Sequence, residues 1–415
     1  MRISPVPIFP NSTLCALAAL REEKSASFSL DARGGLWLEH RIAVFGAGHV
    51  IDLKALVQLC VKQNASDIHL GEANPPYLRI DGILRPVTHP PLDHETMVTT
   101  FHTVGGNERN EKILEQRRGV DFAYQPNPEV RFRVVTYYER DRLHIIMRAI
   151  PLKIPTIEEL ELPEVIRTIA EYPRGLVLCT GMTGSGKSTT QAAMLDYING
   201  RDARCIITIE DPIEYVHENK KSTISQREVG RDVNDFMSGL VQAMRQDPDV
   251  IQIGEMRDPE TMKVALHAAE TGHFVLSTLH TTNATHTIER IIANFPETEH
   301  EVIRDMLATN LRAAIGQRLV RRATGKGRIA ALEILVSNIT VQKMIRESRI
   351  FEVGSIIKGR ELGMQTYDQA LADLVNAKKV AFEEAMSECD DDAAFKRAVK
   401  GVAATGDRGG IIAGF

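Results

Sequence analysis

Between residues 181 and 188 the chain reads Gly181-Met182-Thr183-Gly184-Ser185-Gly186-Lys187-Ser188, which meets every fixed position of G-x-x-x-x-G-K-[ST]. The flanks meet the demands of that pattern too. Gly175-Leu176-Val177-Leu178-Cys179-Thr180 reads as a short buried strand, and Thr189-Thr190-Gln191-Ala192-Ala193-Met194-Leu195 reads as the opening of a helix. A glycine-rich loop in this setting turns backbone N–H groups inward around a phosphate chain, and the helix N-terminus adds its positive dipole end. Gly181, Thr183, Gly184, Ser185, Gly186 and Thr189 are therefore expected to line the phosphates of ATP. Lys187 is expected at the β- and γ-phosphates, and the Ser188 hydroxyl at Mg²⁺. A plain glycine turn would not require lysine and serine at those two places.

A length of 415 residues points to two or three domains, at roughly 150 residues each. The 43% hydrophobic content suffices for ordinary cores. A net charge of −5 gives no basic footprint, so nucleic acid is not an expected partner. The five cysteines, Cys15, Cys60, Cys179, Cys205 and Cys389, stand singly with no C-x-x-C pair. Neither a zinc knuckle nor a redox dithiol is therefore indicated, and the scattered set fits a reducing cytosol. No apolar run approaches the roughly 18–20 residues of a membrane span. The N-terminus lacks a basic region followed by a clean apolar stretch. Neither a signal peptide nor a spanning helix is expected, and membrane association should be peripheral.

Residues 1–48 read as a poorly constrained extension, with a short helix at Leu14–Leu20 and the one tryptophan in Leu36-Trp37-Leu38. Residues 49–150 read as an α+β domain. Ile51, Leu53, Leu56, Val57, Leu59 and Cys60 share a helical face, and strands follow at 66–70, 75–82, 121–124, 130–137 and 143–148. His69 has no partner at ligand spacing and reads as structural. Pro151 and Pro155 mark a linker over 151–159. Residues 160–336 alternate strands and helices, which predicts a mostly parallel sheet in an α/β core. Its strands are expected at 175–180, 205–209, 250–254, 273–279 and 328–335. Asp258-Pro259-Glu260 supplies an N-cap, an N1 proline and an acidic first turn, with Gly272 as the stop. Phe236, Leu240 and Met244 form one core stripe; Val302, Ile303, Met306, Leu307, Leu311 and Ile315 form another. Residues 337–387 read as a helical region. The tail 388–415, with Asp390-Asp391-Asp392 and several glycines, is expected to be mobile.

Four groups of residues bear chemistry. Val250-Ile251-Gln252-Ile253-Gly254-Glu255 is an apolar strand ending in an acid, so Glu255 is expected as general base or water-orienting group. Thr208-Ile209-Glu210-Asp211-Pro212-Ile213-Glu214-Tyr215 places three carboxylates after another apolar strand. Parallel strands bring such ends to one edge, where mutual repulsion calls for Mg²⁺ or an arginine. His273 and His280 flank a third strand about seven steps apart, roughly 23 Å, too far to share one ion. His280 suits a nucleotide-state sensor near the γ-phosphate; His273 reads equally as structural. Arg133, Arg148 and Arg174 suit a planar clamp on phosphate, reaching a neighbour's nucleotide in a ring.

In this order, these boxes resemble the secretion-superfamily ATPases, and most closely the PilT-type twitching-motility ATPases of type IV pili. The resemblance runs over 51–380. It includes Ser66-Asp67-Ile68-His69-Leu70, Arg131-Phe132-Arg133, the loop at 181–188, the acidic box 209–214 and Gln226-Arg227-Glu228-Val229-Gly230. Gly254-Glu255-Met256-Arg257-Asp258, Gly272–His280 and Gly363-Met364-Gln365-Thr366 complete it. It implies a PAS-like domain joined to a RecA-like ATPase domain, assembled as a homohexamer. It also implies Glu255 as catalytic glutamate, Glu210 and Glu214 as box acids with Glu210 at the metal, and His280 near the γ-phosphate. Arg133, Arg148 and Arg174 would contact nucleotide. The implied task is pilus retraction at the inner face of the cytoplasmic membrane, with an inner-membrane platform protein as partner.

Met182 stands where this loop usually carries proline. Thr340-Val341-Gln342-Lys343 stands where the retraction motors carry Ala-Ile-Arg-Asn, so an accessory, PilU-like role is an alternative. A type IVB secretion ATPase and a nucleotide-gated binding module are two more. A nucleic-acid translocase is disfavoured by the acidic balance.

Overall fold

The structure is a computed structural model that describes residues 28–30, 36–38, 51–80, 82–127, 130–150 and 153–400. The expected helix at 14–20, the linker's Pro151 and the last residues of the tail lie outside them. Two compact units divide the chain, Met1–Val120 with Val135–Arg148, and Asp121–Val134 with Ala149–Phe415. Strands β1 (Phe28–Leu30) and β2 (Leu36–Leu38) form a small antiparallel pair.

A helix at Leu53–Lys62 opens the readable part of the first unit. Asp52 caps it by accepting the Ala55 N–H at 3.0 Å, and the predicted face of Leu53, Leu56, Val57, Leu59 and Cys60 is buried. The strands are β3 (Asp67–Gly71), β4 (Tyr77–Ile80), β5 (Ile83–Pro86), β6 (Gly119–Asn127), β7 (Val130–Glu139) and β8 (Arg142–Ile150). They order as β5-β4-β3-β8-β7-β6, and β3 pairs antiparallel with both β4 and β8. The outer parts of β6 and β7 are counted with the second unit. Alternating burial along β8 shows one face turned to a core, as half-buried antiparallel strands require.

The second unit holds β9 (Gly175–Thr180), β10 (Cys205–Glu210), β11 (Thr223–Glu228), β12 (Val250–Ile253), β13 (Phe274–Leu279), β14 (Leu311–Arg321) and β15 (Arg328–Val336). They order as β11-β10-β12-β13-β9-β14-β15; every pairing is parallel except β14 with β15. Every residue of β9, β12 and β13 is buried, the mark of a sheet covered on both faces. The chain leaves β9 for one side of the sheet and later returns to its other side at β14, so a crevice opens above the end of β9. The mixed α/β architecture with a largely parallel sheet is the one the alternation predicts. The helix Pro259–Glu270 starts as read, with Asp258 accepting the Thr261 N–H at 2.7 Å.

Three readings change. The stripe from Val302 to Ile315 is not one helix. The helix His300–Asn310 ends and β14 begins at Leu311, while Val302 is exposed. A spacing of four suits a helix, but it is also an even number and keeps a strand on one face. Strand β11 went unread, because Thr223-Ile224-Ser225-Gln226-Arg227-Glu228 is a polar edge strand. In the region read as a mobile tail, Asp392–Val399 is a helix whose Phe395 is fully buried with Val320, Ile329 and Leu371. The aspartates that suggested solvation include its cap, Asp391, which accepts the Ala393 and Ala394 N–H groups.

Gly316 in β14 lies against the fully buried Tyr367, and a Cβ there would stand 2.5 Å from the tyrosine hydroxyl. Gly316→Ala should therefore cost about 1–3 kcal/mol of stability by overpacking. Urea unfolding checks this, and an unchanged midpoint would mean that the ring yields without cost.

Candidate active site

The loop above β9 takes a path only glycine follows easily. Gly181, Gly184 and Gly186 have φ of 139°, 80° and 88°. Space excludes side chains as well: a Cβ on Gly181 would meet the Gln317 carbonyl oxygen at 2.4 Å. The helix Lys187–Arg201 starts at Gly186 with no side-chain cap, so its first N–H groups are open to an anion.

Lys187 is 8% exposed, and its Nζ donates to the carbonyls of Gly181 at 2.8 Å and Met182 at 3.1 Å. Burial pulls its ammonium below the usual lysine range, against the opposing fields of Glu255, Cys179 and Glu214. Two of the acids expected at the site thus act on the same lysine from the ends of β12 and β10.

Glu255 follows β12 across Gly254. Its carboxylate lies 2.7 Å from an Arg257 guanidinium nitrogen and 3.1 Å from His280 Nε2. Burial alone would raise Glu255; the Arg257 hydrogen bond and the His280 and Arg257 charges outweigh it, holding the carboxyl below its ordinary value. His280 follows β13, so adjacent strand ends deliver the pair. His273, at the other end of that strand, has Nδ1 2.8 Å from the Ala268 carbonyl and supports a helix end.

Glu210 behaves differently from Glu214. It is 8% exposed, and its Oε1 accepts from the Thr208 hydroxyl at 2.6 Å and from Gln226 Nε2 at 3.0 Å. Burial pushes its carboxyl up despite those bonds. Glu210 thereby braces the loop 211–215, because the Gln226 amide that it holds also donates to the Tyr215 carbonyl at 2.8 Å. Thr189 Oγ1 lies 2.9 Å from Tyr215 Oη, tying that loop to the helix behind Lys187. Ser188 is half-buried, and its hydroxyl has no hydrogen bond among the described residues. Nor do three His, Cys, Asp or Glu side chains converge to hold an ion among those residues.

The arginines lie in three places. Arg133, half-buried in β7, acts on the Asp121 carboxyl. Arg148 in β8 donates Nε to Asp67 at 2.8 Å, and its side chain is 70% exposed. Arg174 precedes β9, is exposed, and its carbonyl accepts from Arg312.

Sequence reasoning includes Arg257 in the box 254–258 but gives it no role, because a lone charge carries no periodic signal. It missed Gln317, which lies against the loop and accepts from Thr190 Oγ1 at 2.7 Å. Next to Gly186, Thr189 and Thr190 is a cavity of about 390 Å³ with Leu160, Leu162, Leu319 and Ile329 in its wall.

Residues 47–402 match the Type II/IV secretion system protein family. The chain is 44% identical to the type IV pilus retraction ATPase PilT of Pseudomonas aeruginosa, over 81% of this chain and 97% of that one. It is 40% identical to the type IV pilus ATPase PilU of the same organism, over 82% of this chain and 89% of that one. Among solved structures, that of the pilus retraction motor PilT with bound ADP superposes with a TM-score of 0.78 at 39% identity, covering 84% of this chain and 99% of that one.

Because its partners hold Glu255 below its ordinary value, it contributes stability that is present above the unfolded carboxylate value and lost as pH falls through the folded one. Arg257→Ala should therefore cost about 0.5–1 kcal/mol at pH 7, a figure kept low by the exposure of the arginine. The deficit should shrink toward pH 3. Denaturant titrations at both pH values test this; an equal deficit at both would assign the arginine's contribution to packing.

Proposed function

The chain belongs to the Type II/IV secretion system protein family, and from that premise we propose that it is an ATP-hydrolysing ring motor that powers type IV pilus retraction. The observation that carries this reading is the convergence of Lys187, Glu255, Glu214 and His280 beneath a loop whose shape demands its glycines. PilT-type relatives are ATPases of pilus retraction, and this chain spans nearly the full length of the one compared.

In this reading the loop and the first turn of Lys187–Arg201 grip the β- and γ-phosphates, and Lys187 exchanges the carbonyls of Gly181 and Met182 for phosphate oxygens. The base lies against Leu160, Leu162, Leu319 and Ile329. The Ser188 hydroxyl, with Glu210 as the second expected ligand, would hold Mg²⁺, which would supply neutralising charge at the phosphates. Glu255 orients the attacking water. A carboxylate held below its usual range by Arg257 and His280 is a weak proton acceptor, so orientation outweighs early deprotonation. His280, bonded to Glu255, reports on the γ-phosphate, and Glu214 completes the acidic edge.

The working unit is proposed to be a homohexamer, with 49–150 as a PAS-like domain, 160–336 as the RecA-like core and 337–387 as a helical region. Arg133, Arg148 and Arg174 are proposed nucleotide-contacting arginines, entering partly across subunits. The motor is placed in the cytoplasm against the inner membrane, on a platform protein of the pilus. No helix among the described residues is long and apolar enough to cross a membrane, which suits peripheral attachment. An accessory PilU-like role is the second reading, favoured by the 40% identity to PilU and by Thr340-Val341-Gln342-Lys343.

Glu255→Gln should lower steady-state ATP turnover by about a hundredfold or more, with nucleotide affinity retained, while Lys187→Ala should lose affinity itself. Equal turnover in the wild type and Glu255→Gln would remove Glu255 from the chemistry. Deleting the gene should leave surface pili in excess and abolish twitching; normal twitching after deletion would favour the accessory role.

A further inference from the structure

Among the buried carboxylates without a role so far, Glu333 reaches toward the site. Glu333, in the otherwise apolar run Ala331-Leu332-Glu333-Ile334-Leu335 of β15, is 8% exposed. Its Oε1 accepts the backbone N–H of Ala284 at 2.7 Å, across 49 residues of chain. Ala284 is the first residue of the helix Ala284–Ala293, which follows directly on the loop carrying His280.

That loop is laced to the same helical turn. Thr281 Oγ1 lies 2.6 Å from Thr287 Oγ1, Thr282 Oγ1 lies 3.0 Å from His286 Nδ1, and Asn283 accepts the His286 N–H at 2.8 Å. A continuous path of hydrogen bonds and short chain therefore runs from Glu333 through the start of the helix to His280 and on to Glu255.

We infer that Glu333 is a positioning residue for the hydrolytic step, holding the first turn of Ala284–Ala293 so that His280 stays against Glu255. The inference rests on the ATPase reading above. A carboxylate suits the task because the N-terminus of a helix favours negative charge and a charged acceptor binds N–H more firmly than a neutral one. It is also costly there. Burial raises Glu333 to about 7, against the Ala284 N–H; Asp390 adds to the rise, Arg318 opposes it and Asp368 adds to it. Tyr367 also faces the carboxylate. Arg318 is shared, since it donates to the Glu388 carbonyl at 2.7 Å and to Asp390 at 2.8 Å and lies over the Tyr367 ring at 4.0 Å. A glutamine would accept the same N–H without the cost of burying charge. The position thus trades stability for a firmer hold.

The sign of the stability effect follows. A carboxyl raised above its unfolded value stabilises fully below that value, and this contribution is lost as pH rises through about 7. Glu333→Gln should therefore melt higher than the wild type at pH 8 and show little difference at pH 5. Its turnover should move the other way. At pH 8, kcat should fall by threefold or more with nucleotide affinity unchanged, and the rise of kcat through pH 7 should flatten. Glu333→Ala should fall further, by tenfold or more; if that variant does not fold, Glu333→Gln carries the test.

Hydrogen exchange on the full chain supplies a readout independent of turnover. The amides of 284–287 should exchange faster in Glu333→Gln at pH 8. Unchanged exchange there, or wild-type kcat with a wild-type pH profile, overturns the inference. A wild type that binds but does not hydrolyse ATP overturns the ATPase reading instead, and the exchange result then still decides whether Glu333 holds the helix.

Discussion

An ammonium group almost out of water dominates the second unit. Taking a lysine out of solvent is costly unless polar partners meet it, and the chain supplies them in two ways. The carbonyls of Gly181 and Met182 accept from Nζ directly, which requires the loop to bend through left-handed glycines. Glu255 and Glu214 act from nearby strand ends, which requires those strands to run parallel. A single charge therefore links the backbone conformation of eight residues to the direction of the sheet.

The same requirement explains which parts were legible. Strands β9, β12 and β13 are buried on both faces and read as unbroken apolar runs. Their ends, and hence Glu255 and His280, could be placed from sequence. Strand β11 was not, since it lies at the sheet edge and five of its six residues are polar. Strand β14 was hidden inside a helical spacing. The acidic box was legible as chemistry but not as geometry. Strand alternation puts Thr208 and Glu210 on one face, so the hydroxyl takes up the carboxylate. Glu214, beyond the strand, escapes that constraint.

Partners of functional residues were harder to read than the residues themselves. Arg257 changes what Glu255 can do, but an arginine after a strand is usually a solvated charge. Glu333 sits in a run whose other residues argue for core, and one acid in such a run leaves no trace of what it holds. The Glu333 assignment depends on a contact across 49 residues of chain, and the Arg257 one on a side-chain direction that spacing alone does not give.

The two carboxylates are driven in opposite directions by their surroundings, a separation that often marks divided roles. Glu255 has a guanidinium and an imidazole beside it and stays ionised, so its charge is constant while the nucleotide turns over. Glu333 has burial and two aspartates against one arginine, so its charge is conditional. The loop bearing His280 is attached at one end to the constant charge and at the other to the conditional one. Movement of the C-terminal segment that carries Asp390 would change the field at Glu333 and release Arg318. The grip on the helix would then change without any contact to the nucleotide.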